Sequence, residues 1–572
     1  MKRDLTQLTL QAYDVVVIGG GIYGACVAWD AALRGLSVAL VEKGDFGGAT
    51  SANSLKIIHG GLRYLQDGNL RLVRQMSRER QTWLRVAPHL VQPLPCLMPT
   101  TSKLSRSRLV LKTALACNDL LSFDRNRGMN DLHCLSNGRL LTPQQCLNFL
   151  PGLAQTFITG AAIWYDAQVL NSERLLIAII QAAVTAGAHV ANYVEAIDFL
   201  QEGSRIQGIQ AADKLTGTNL TIQAKLITNC TGAGADKLLA QLNGRSHTPY
   251  FPRSTAANII TRQLFAEYAV ALPGQSGETR FVVPWQGYSL IGTLHQPYDK
   301  SIAENEARET AAQILIDDIN YIYPTAALTY QDVLHIHHGF LPTTNPNQNG
   351  KTVKLLRQSH LHDHEREDGL SGLITVVGVK YTTARQTAEQ TVTLALQKLG
   401  KPHIKSRTRE TAVHGGSFTN LTDALAQAYS QKPLWLSDES LNHLIQNYGT
   451  DYQMILAYCE ENPMWGNPIS ANTPVLQAEI IHAIRAEMAQ TLGDVIQRRT
   501  PLATVGLPAA AVIQCCADLM TAELNWAPHR RVQEIEAVYA ALGRPSQPIH
   551  NDSYLYRNGR QPEQLPLLAT AS

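Results

Sequence analysis

The sequence predicts an α/β fold with a parallel sheet, an inserted α+β domain and a C-terminal helical domain. The first observation is a short β-branched strand over residues 14–18, followed by glycines, an Ala-rich helix over residues 22–34 and a second apolar run that ends at Glu42. Strand, helix and strand within about 30 residues form a βαβ unit, whose strands are parallel. The second observation is that similar strands recur far downstream, and the third is a helical pattern after Arg407.

Composition sets the class of protein. A chain of 572 residues predicts about three domains. A content of 45% hydrophobic and 17% charged residues excludes a mainly disordered protein. The net charge of +2 indicates no nucleic-acid partner. Nine scattered cysteines without a C-x-x-C pair favour a reducing, cytoplasmic location. We expect neither a signal peptide nor a membrane-spanning helix, because no stretch is long and apolar enough.

The domain boundaries follow from where strand-like segments return to the first sheet. Residues 225–229 and 373–377 each form an apolar run that ends in a glycine-containing turn, and a helix and strand are expected over residues 173–194. The predicted ranges are residues 1–95, 166–245 and 346–406 for the nucleotide-binding domain, 96–165 and 246–345 for the inserted domain, 407–545 for the helical cap, and 546–572 for a loosely ordered tail.

The strongest motif is Gly19-Gly20-Gly21-Ile22-Tyr23-Gly24, which matches G-x-G-x-x-G. Its glycines permit a tight turn, close approach of a pyrophosphate and packing of helix on strand. Glu42 lies 18 residues beyond Gly24, where a carboxylate accepts hydrogen bonds from a ribose, so NADP is disfavoured. The alternative is an ordinary glycine-rich turn, but the strand before and the helix after favour a Rossmann-like dinucleotide site.

The segment 49–65, Ala-Thr-Ser-Ala-Asn-Ser-Leu-Lys-Ile-Ile-His-Gly-Gly-Leu-Arg-Tyr-Leu, closely resembles the signature of FAD-dependent glycerol-3-phosphate dehydrogenases. Residues 230–232, 283–285 and 291–293 are similar to strand ends of that family, and 378–383 to its Gly-Gly-Lys-Leu-Thr-Thr motif. Residues 478–500 resemble its C-terminal cap. The resemblance therefore covers most of the chain.

The resemblance implies a noncovalent FAD, a FAD-binding Rossmann-like domain, an inserted substrate domain, and hydride transfer from a CH–OH carbon to flavin N5. The residues expected to bind the cofactor are Gly19, Gly21, Ile22, Tyr23, Gly24, Glu42, Lys43, Thr50, Ser51, Ser54, Lys56, His59, Gly60, Gly61, Val194, Thr231, Gly232, Gly378, Lys380, Tyr381, Thr382 and Thr383.

The substrate-binding positions depart from the family pattern. Leu341 occupies the position at which the family has an arginine thought to bind phosphate. Asn258 occupies the position at which the family has a histidine proposed to accept a proton. Losing a bidentate arginine weakens phosphate binding, so the substrate is expected to be altered from simple glycerol 3-phosphate. Oxidation of an amine, an amino acid or a larger metabolite remains the alternative.

Candidate catalytic residues are chosen for proton transfer, for which histidine is suited. They are His59, His295, His338 and Lys380. The residues expected to contact the substrate are Arg63, Tyr64, Asn258, Arg280, Leu341 and Lys380. For Arg280 and Lys380 an ion pair is the competing interpretation. His335, His337 and His338 do not predict a metal site, since no third ligand is evident on their strand.

Basic and apolar residues around residues 71–123 predict contact with a membrane surface. Arg71, Arg74, Arg78 and Arg85 recur at helical spacing, and residues 104–123 form an apolar segment flanked by lysines and arginines. The protein would then lie on the inner face of the cell membrane. The alternative is that the basic face is simply solvated. The electron acceptor is expected to be either a quinone or O₂. The oligomeric state stays open.

Overall fold

The computed structural model describes residues 1–103, 106–153, 158–242, 252–275, 277–299, 301–345 and 353–543. The predicted tail over 546–572, the segments 243–251 and 346–352, and the start of the apolar segment at Leu104 lie outside these residues.

Two sheets and a set of C-terminal helices make up the described chain. The strands are β1 (Tyr13–Ile18), β2 (Val38–Val41), β3 (Ile57–Ile58), β4 (Val91–Thr100), β5 (Arg139–Leu141), β6 (Gly160–Val169), β7 (His189–Ala191), β8 (Val194–Glu202), β9 (Arg205–Asp213), β10 (Asn219–Asn229), β11 (Arg253–Arg262), β12 (Ala269–Pro273), β13 (Thr279–Trp285), β14 (Tyr288–Pro297), β15 (Val333–Asn345), β16 (Lys354–Leu355), β17 (His360–Asp363) and β18 (Leu373–Val377).

The helices alternate with these strands in the first three quarters of the chain and then follow one another. They are α1 (Leu5–Thr9), α2 (Ile22–Leu33), α3 (Leu70–Val86), α4 (Arg108–Leu121), α5 (Pro143–Phe149), α6 (Ser172–Thr185), α7 (Ala235–Leu239), α8 (Glu304–Ile322), α9 (His364–Asp368), α10 (Ala384–Lys398), α11 (Leu421–Ser430), α12 (Asp438–Tyr448), α13 (Tyr452–Glu461), α14 (Gln477–Glu487), α15 (Leu492–Asp494), α16 (Ala510–Leu524) and α17 (Pro528–Leu542).

The first sheet has the order β17-β18-β10-β1-β2-β7, with β8 and β9 continuing from β10. Strand β1 pairs in parallel with β2 and β10, and β10 pairs in parallel with β18, as the recurring segments predict. Helix α2 packs between α6 and α10. Its alanines, such as Ala28, allow this close packing, and Trp29 is fully buried there. Strands that lie side by side in this sheet, such as β1 and β10, therefore come from distant parts of the chain.

The second sheet has the order β16-β15-β11-β14-β13-β12-β4-β6-β3, with β5 against β6. Helix α8 covers one of its faces, and the other faces the first sheet's loops. The predicted boundaries at 95/96 and 165/166 fall inside β4 and β6, because both strands belong to this sheet over their whole length. Prolines at 93, 95 and 99 made β4 look irregular in the sequence.

The C-terminal helices confirm the expected helical pattern. Thr473 and Pro474 have the residue types of an N-cap and a first helical residue, yet α14 covers only Gln477–Glu487. Met488 ends it in a left-handed conformation with φ of 57°. A separate turn, Val495–Arg499, then carries two arginines toward the first sheet.

Buried ion pairs fasten these helices to the nucleotide-binding domain. Both terminal nitrogens of Arg499 donate to Asp45, at 2.6 and 2.8 Å, and Arg498 Nε donates to the same carboxylate. Arg174 of α6 makes a bidentate pair with Glu487, at 2.6 and 2.7 Å. In the part of the chain that the structure describes, every helix is too short or too polar to cross a bilayer.

Candidate active site

The glycine loop between β1 and α2 is built for close approach. Gly19 has φ of +103°, and a Cβ there would lie 2.8 Å from the carbonyl oxygen of Cys230. A Cβ on Gly24 would lie 1.8 Å from the carbonyl oxygen of Gly19, so helix and strand can meet only at a glycine. Thr231 and Gly232 follow Cys230 directly, which places them beside the same loop.

The amino terminus of α2 lies open toward a loop of the first sheet. Its N-cap, Gly21, has no side chain to cap the helix, and the Ile22 amide donates to Ser51 Oγ at 3.0 Å. Free amides and the helix dipole at such a terminus attract phosphate. The predicted pyrophosphate residues Gly21, Ile22 and Ser51 are thus brought together.

Glu42 occupies the end of β2, where a ribose is expected. Its carboxylate accepts hydrogen bonds from the amides of Gly20, at 2.7 Å, and Gly44, at 3.0 Å. Burial raises the pKa of Glu42. The Val194 amide donates to the Glu42 carbonyl at 2.8 Å, so Val194 lies beside it as predicted, whereas the Lys43 side chain is exposed.

Tyr23 joins the glycine loop to the motif after β18. Its phenol oxygen accepts from the amides of Val379 and Lys380, at 2.9 and 3.0 Å, and donates to the Lys380 carbonyl at 2.8 Å. A Cβ on Gly378 would lie 2.2 Å from the Tyr23 ring. Both predicted cofactor motifs therefore meet through one side chain.

The His59 segment is held against the start of α10. The His59 amide donates to Thr382 Oγ1 at 3.1 Å, and Thr383 is the N-cap of α10. His59 Nδ1 lies 3.2 Å from Asp166 Oδ2. Burial alone would raise the pKa of Asp166, but His59, Arg80 and the Gly60 amide lower it to about 2. Asp166 is thus a buried anion that orients His59.

The glycines after His59 serve packing in the described structure. A Cβ on Gly60 would lie 2.1 Å from Arg80 Nη1, and Gly61 has φ of +88° against α3. Thr50 exchanges hydrogen bonds with the backbone of Phe340 at 3.2 Å, which ties this loop to β15. The buried Tyr381 donates to the carbonyl of Ser172 at 3.1 Å.

Lys56 corrects one predicted cofactor contact. Its side chain is 1% exposed, and Nζ donates to Glu173 Oε1 at 2.9 Å and to Ser172 Oγ at 2.6 Å. The amine also lies 5.4 Å from the centre of the Trp285 ring. A charge so fully paired fixes the loop rather than binding the cofactor. Ser54 Oγ accepts from the Lys56 amide at 3.3 Å, which stabilises the same turn.

The second sheet separates the predicted substrate residues onto two faces. Asn258 of β11 lies opposite His337, and Leu341 lies four residues further along β15, on the same face. Asn258 Nδ2 donates to the Asn53 carbonyl at 3.1 Å, so this face looks toward the cofactor loops. His295 lies on that face too, opposite Ala256.

His338 and Arg280 point the other way, which corrects both predictions. His338 Nδ1 lies 3.6 Å from Glu304 Oε1 of α8, on the far side of the sheet from the cofactor loops. Arg280 is buried and donates to Asp318 of α8 at 2.7 Å and to Glu278 at 2.8 Å. The ion-pair interpretation of Arg280 is therefore confirmed, and its neighbour Phe281 faces His59 at 5.7 Å between ring centres.

A cluster of cations, formed by Arg63, Arg357 and Lys380, lies beside the His59 segment. Lys380 Nζ donates to the Arg357 carbonyl and lies 4.9 Å from the Tyr64 ring centre. Burial, Arg63 and Arg357 lower the pKa of Lys380 to about 8. Arg357 pairs with Asp67 at 3.3 Å. Such a cluster suits a phosphate or carboxylate.

His295 lies within electrostatic range of Arg63, one member of this cation cluster. Burial lowers its pKa to about 4, and the charges of Arg280 and Arg63 act in the same direction against the opposing charge of Glu278. The imidazole is therefore neutral at pH 7, and one of its ring nitrogens carries a lone pair. Its Nδ1 has no hydrogen-bond partner among the described residues.

Sequence reasoning missed Arg357 and Asp166. Arg357 comes just after an irregular stretch, with only its charge to mark it, while Asp166 lies within the strand β6 as one acid among apolar residues. An acid in a buried strand is a signal that such a residue needs a partner, and here the partners are His59 and Arg80.

The described residues fit FAD. Gly19 and Gly24 allow the tight turn of this motif, because a Cβ at either position would clash with neighbouring backbone. Helix α2 begins at Gly21 without a side-chain cap, and Glu42 at the end of β2 accepts a hydrogen bond from the Gly20 amide. The start of α10 supplies a second helix terminus beside His59, where negative charge on a flavin is stabilised.

Comparisons with known proteins agree with this geometry. A family model described as FAD dependent oxidoreductase matches residues 14–383. A second model, described as the C-terminal domain of alpha-glycerophosphate oxidase, matches residues 406–531. The predicted resemblance and the predicted FAD are thereby confirmed.

Two relatives and one solved structure extend the match to nearly the whole chain. Glycerol-3-phosphate dehydrogenase of Synechocystis sp. is 34% identical over 517 residues, covering 88% of this chain and 91% of that protein. The human mitochondrial glycerol-3-phosphate dehydrogenase is 30% identical over 561 residues, covering 94% and 74%. The structure of glycerol-3-phosphate dehydrogenase from Bacillus halodurans complexed with FAD shares the fold, with a TM-score of 0.73, 24% identity and coverage of 94% and 96%.

Proposed function

This chain belongs to the family of FAD-dependent oxidoreductases, and we propose that it oxidises the secondary alcohol of a small phosphorylated polyol, with glycerol 3-phosphate as the first candidate. It is an enzyme related to the glycerol-3-phosphate dehydrogenases and acts on a CH–OH donor. FAD, when bound, supplies the acceptor for the hydride that leaves the alcohol carbon.

The observation that carries the proposal is the cation cluster of Arg63, Arg357 and Lys380 next to the cofactor motifs. Arg63 and Arg357 each depress the pKa of Lys380, so the three charges lie near one another. Like charges are costly together unless an anion lies between them. A phosphate dianion neutralises them and is held at one side of the His59 segment.

The missing family arginine at Leu341 is compensated within this cluster. Leu341 is half-buried on the cofactor-facing side of β15 and offers no hydrogen bond from its side chain. Arg357, from the segment before β17, is proposed to take over this role, since its carbonyl contacts Lys380 and its exposed guanidinium pairs with Asp67 at 3.3 Å. The leucine at position 341 therefore changes which residues bind the phosphate. A phosphorylated alcohol remains the best substrate class.

His295 is proposed as the base that takes the hydroxyl proton. It is neutral near pH 7 and lies on the face of the sheet that looks toward Arg63. Asn258, the position of the lost histidine, cannot accept a proton at neutral pH. Its amide instead joins Thr293 of β14, at 2.8 Å, to the Asn53 loop. His59, held by Asp166, orients the substrate from the cofactor side.

A comparison of two alcohols tests the phosphate-binding assignment. Arg357→Gln should lower kcat/KM for glycerol 3-phosphate by about 10–100-fold, the value of one charge-assisted hydrogen bond, and leave the weak turnover of glycerol unchanged. Arg205→Gln, an exposed arginine of β9, is the matched control. Equal losses for both alcohols, or no loss, would contradict the assignment.

We further propose that α4 docks on the inner face of a cell membrane and that a membrane quinone accepts the electrons. Leu109, Leu120 and Phe123 are 75%, 74% and 78% exposed on and next to the outer side of α4. The exposed Lys112 lies on the same helix, and the exposed Arg78 lies near Asp124. An apolar stripe with basic neighbours is suited to anionic lipid.

The inner side of α4 connects this surface to the substrate site. Leu111 and Leu115 are buried in a cluster against which Leu62 packs, and Leu62 directly precedes Arg63. A quinone in the bilayer would therefore reach the protein close to the flavin. If the protein rapidly reduced O₂ and did not reduce a quinone, the quinone would be the wrong electron acceptor. The proposed alcohol substrate would be unaffected.

A further inference from the structure

A second cluster of ligating side chains lies at the edge of the first sheet, away from the substrate-binding face. His362 of β17 and His364 at the start of α9 both aim a ring nitrogen at one carboxylate oxygen of Asp368. The distances to Asp368 Oδ2 are 2.7 Å from His362 Nε2 and 2.6 Å from His364 Nδ1. His364 is fully buried and His362 is nearly so.

The other nitrogen of each ring already has an acceptor in place. His364 Nε2 lies 2.9 Å from Thr375 Oγ1 of β18, and His362 Nδ1 lies 3.0 Å from Glu367 Oε2. When these nitrogens carry the protons, the nitrogens that face Asp368 present lone pairs. Metal-ligating histidines are oriented in this way, with the distal N–H given to a carboxylate or another oxygen.

We propose that His362 Nε2, His364 Nδ1 and Asp368 form a binding site for a divalent transition-metal ion of the Zn²⁺ type. Two imidazoles and one carboxylate are preferred ligands of Zn²⁺ and are poor ligands for Mg²⁺ or Ca²⁺. The ligand atoms of this group all lie within 4.8 Å of one another. A fourth position is left to water.

The geometry needs only a small opening to accept the ion. A tetrahedral Zn²⁺ about 2.0–2.1 Å from each ligand requires ligand atoms roughly 3.3 Å apart, somewhat wider than the present contacts. Asp368 is the last residue of α9 and is partly exposed, so its carboxylate can withdraw. Binding releases any proton shared between an imidazole and Asp368.

Charge around the cluster favours a cation. Lys398 pairs with Asp363 at 2.6 Å and Glu365 at 2.7 Å. Asp363 and Glu365 lie in the same segment as the three ligands, but Lys398 already pairs with both of them. Glu367 and Asp368 instead face the rings of His362 and His364.

A second arrangement shares His362, and the structure favours the first. His360, His362 and Glu367 also lie close together, but His360 is exposed on the outer strand and Glu367 is partly exposed. In that group the carboxylate that orients His362 would itself become a ligand. The inner group keeps Glu367 and Thr375 as orienting partners, so each ring has an acceptor for the N–H of its metal-binding tautomer.

The ion would join the edge strand β17 and α9 to β18. Thr375 lies three residues before Gly378, so a rigid junction here supports the loop that carries Lys380. Because the ion binds only the folded arrangement, it should raise the thermal midpoint of unfolding. This inference does not depend on the identity of the alcohol substrate.

Equilibrium dialysis of the full-length, tag-free, FAD-loaded protein against Zn²⁺, after removal of metals with a chelator, tests the site. The expected result is one Zn²⁺ per chain with an increase in unfolding temperature. Asp368→Asn and His362→Gln should each weaken binding at least about 10-fold. His360→Asn and the exposed His403→Asn are matched controls and should bind as the parent does.

Thr375→Val gives a test that keeps every ligand. It removes only the acceptor that orients His364, and should weaken Zn²⁺ binding by about 10-fold without abolishing it. FAD content and the unfolding temperature without metal establish that each variant is folded. Absence of binding by the parent, binding that survives both Asp368→Asn and His362→Gln, or binding lost in His360→Asn, overturns the proposal.

Discussion

The phenol oxygen of Tyr23 lies 3.0 Å from the amide nitrogen of Lys380 and 2.8 Å from its carbonyl oxygen, although the two residues are 357 positions apart. Tyr23 belongs to the glycine loop that opens α2, and Lys380 belongs to the cation cluster. The contact therefore sets the position of the Lys380 backbone relative to the nucleotide-binding loop.

Replacing Tyr23 by Phe should uncouple these two parts. The amides of Val379 and Lys380 would lose their acceptor, at a cost of about 1–3 kcal/mol. We expect weaker FAD retention and a higher KM for the anionic substrate, measured by flavin content after dialysis and by steady-state kinetics. Tyr321→Phe, on an exposed tyrosine, should change neither quantity; unchanged FAD retention in Tyr23→Phe would show that the contact is dispensable.

The charge of Lys380 predicts a pH dependence. Its pKa of about 8 means that the amine is charged below pH 8 and neutral above it. Since the charged form binds the phosphate, kcat/KM should fall as pH rises through about 8. Lys380→Arg, which stays charged, should move this fall to higher pH. A profile of kcat/KM between pH 6 and 10 that is flat for the parent would contradict the assignment.

His295 should be the residue whose loss slows the chemical step most. His295→Gln is expected to lower the rate of flavin reduction by about 10²–10⁴-fold, the usual contribution of a general base. His338→Gln is the matched control, because His338 lies on the opposite face of the same sheet and contacts α8. Stopped-flow absorbance under anaerobic conditions measures both. A larger effect from His338 would reverse the assignment.

The exposed face of α4 should bind vesicles. The parent protein is expected to float with anionic vesicles, and the double variant Leu120→Ser, Phe123→Ser should remain at the bottom of the gradient. Leu434→Ser, at a fully exposed leucine in the C-terminal domain, controls for a general loss of apolar surface. Flotation that is absent in the parent would exclude membrane docking through α4.

Asp45 should be essential for attachment of the helical domain. Asp45→Asn leaves the buried Arg499 without its anion, and breaking such a pair costs about 3–5 kcal/mol. The charges of Arg499 and Arg498 hold the pKa of Asp45 far below its usual range despite its burial, so the loss should be constant from pH 5 to 9. Thermal unfolding measures it, with the exposed Asp518→Asn as control.

The sequence predicted the nucleotide-binding unit because its signals are local. The G-x-G-x-x-G motif, its flanking strand and helix, and Glu42 all lie within one continuous segment, and β18 matches residues 373–377 as expected. Backbone rules decide such elements, and distant parts of the chain do not alter them.

The substrate site could be predicted only in part, since it depends on which face each strand presents. Arg280 looked available to a substrate anion because its partner Asp318 is 38 positions away, on α8. Lys56 looked like a cofactor ligand because Glu173, its partner, is 117 positions away. Arg357 gave no periodic signal, and only the folded chain brings it to Lys380.

Anaerobic mixing of the FAD-loaded protein with glycerol 3-phosphate tests the central claim most directly. The account predicts that the flavin absorbance bleaches rapidly and with saturation by glycerol 3-phosphate, and far more slowly with glycerol at the same concentration. Two results would contradict a phosphorylated alcohol as the substrate. The flavin could stay oxidised with glycerol 3-phosphate, or glycerol could reduce it as fast as glycerol 3-phosphate does.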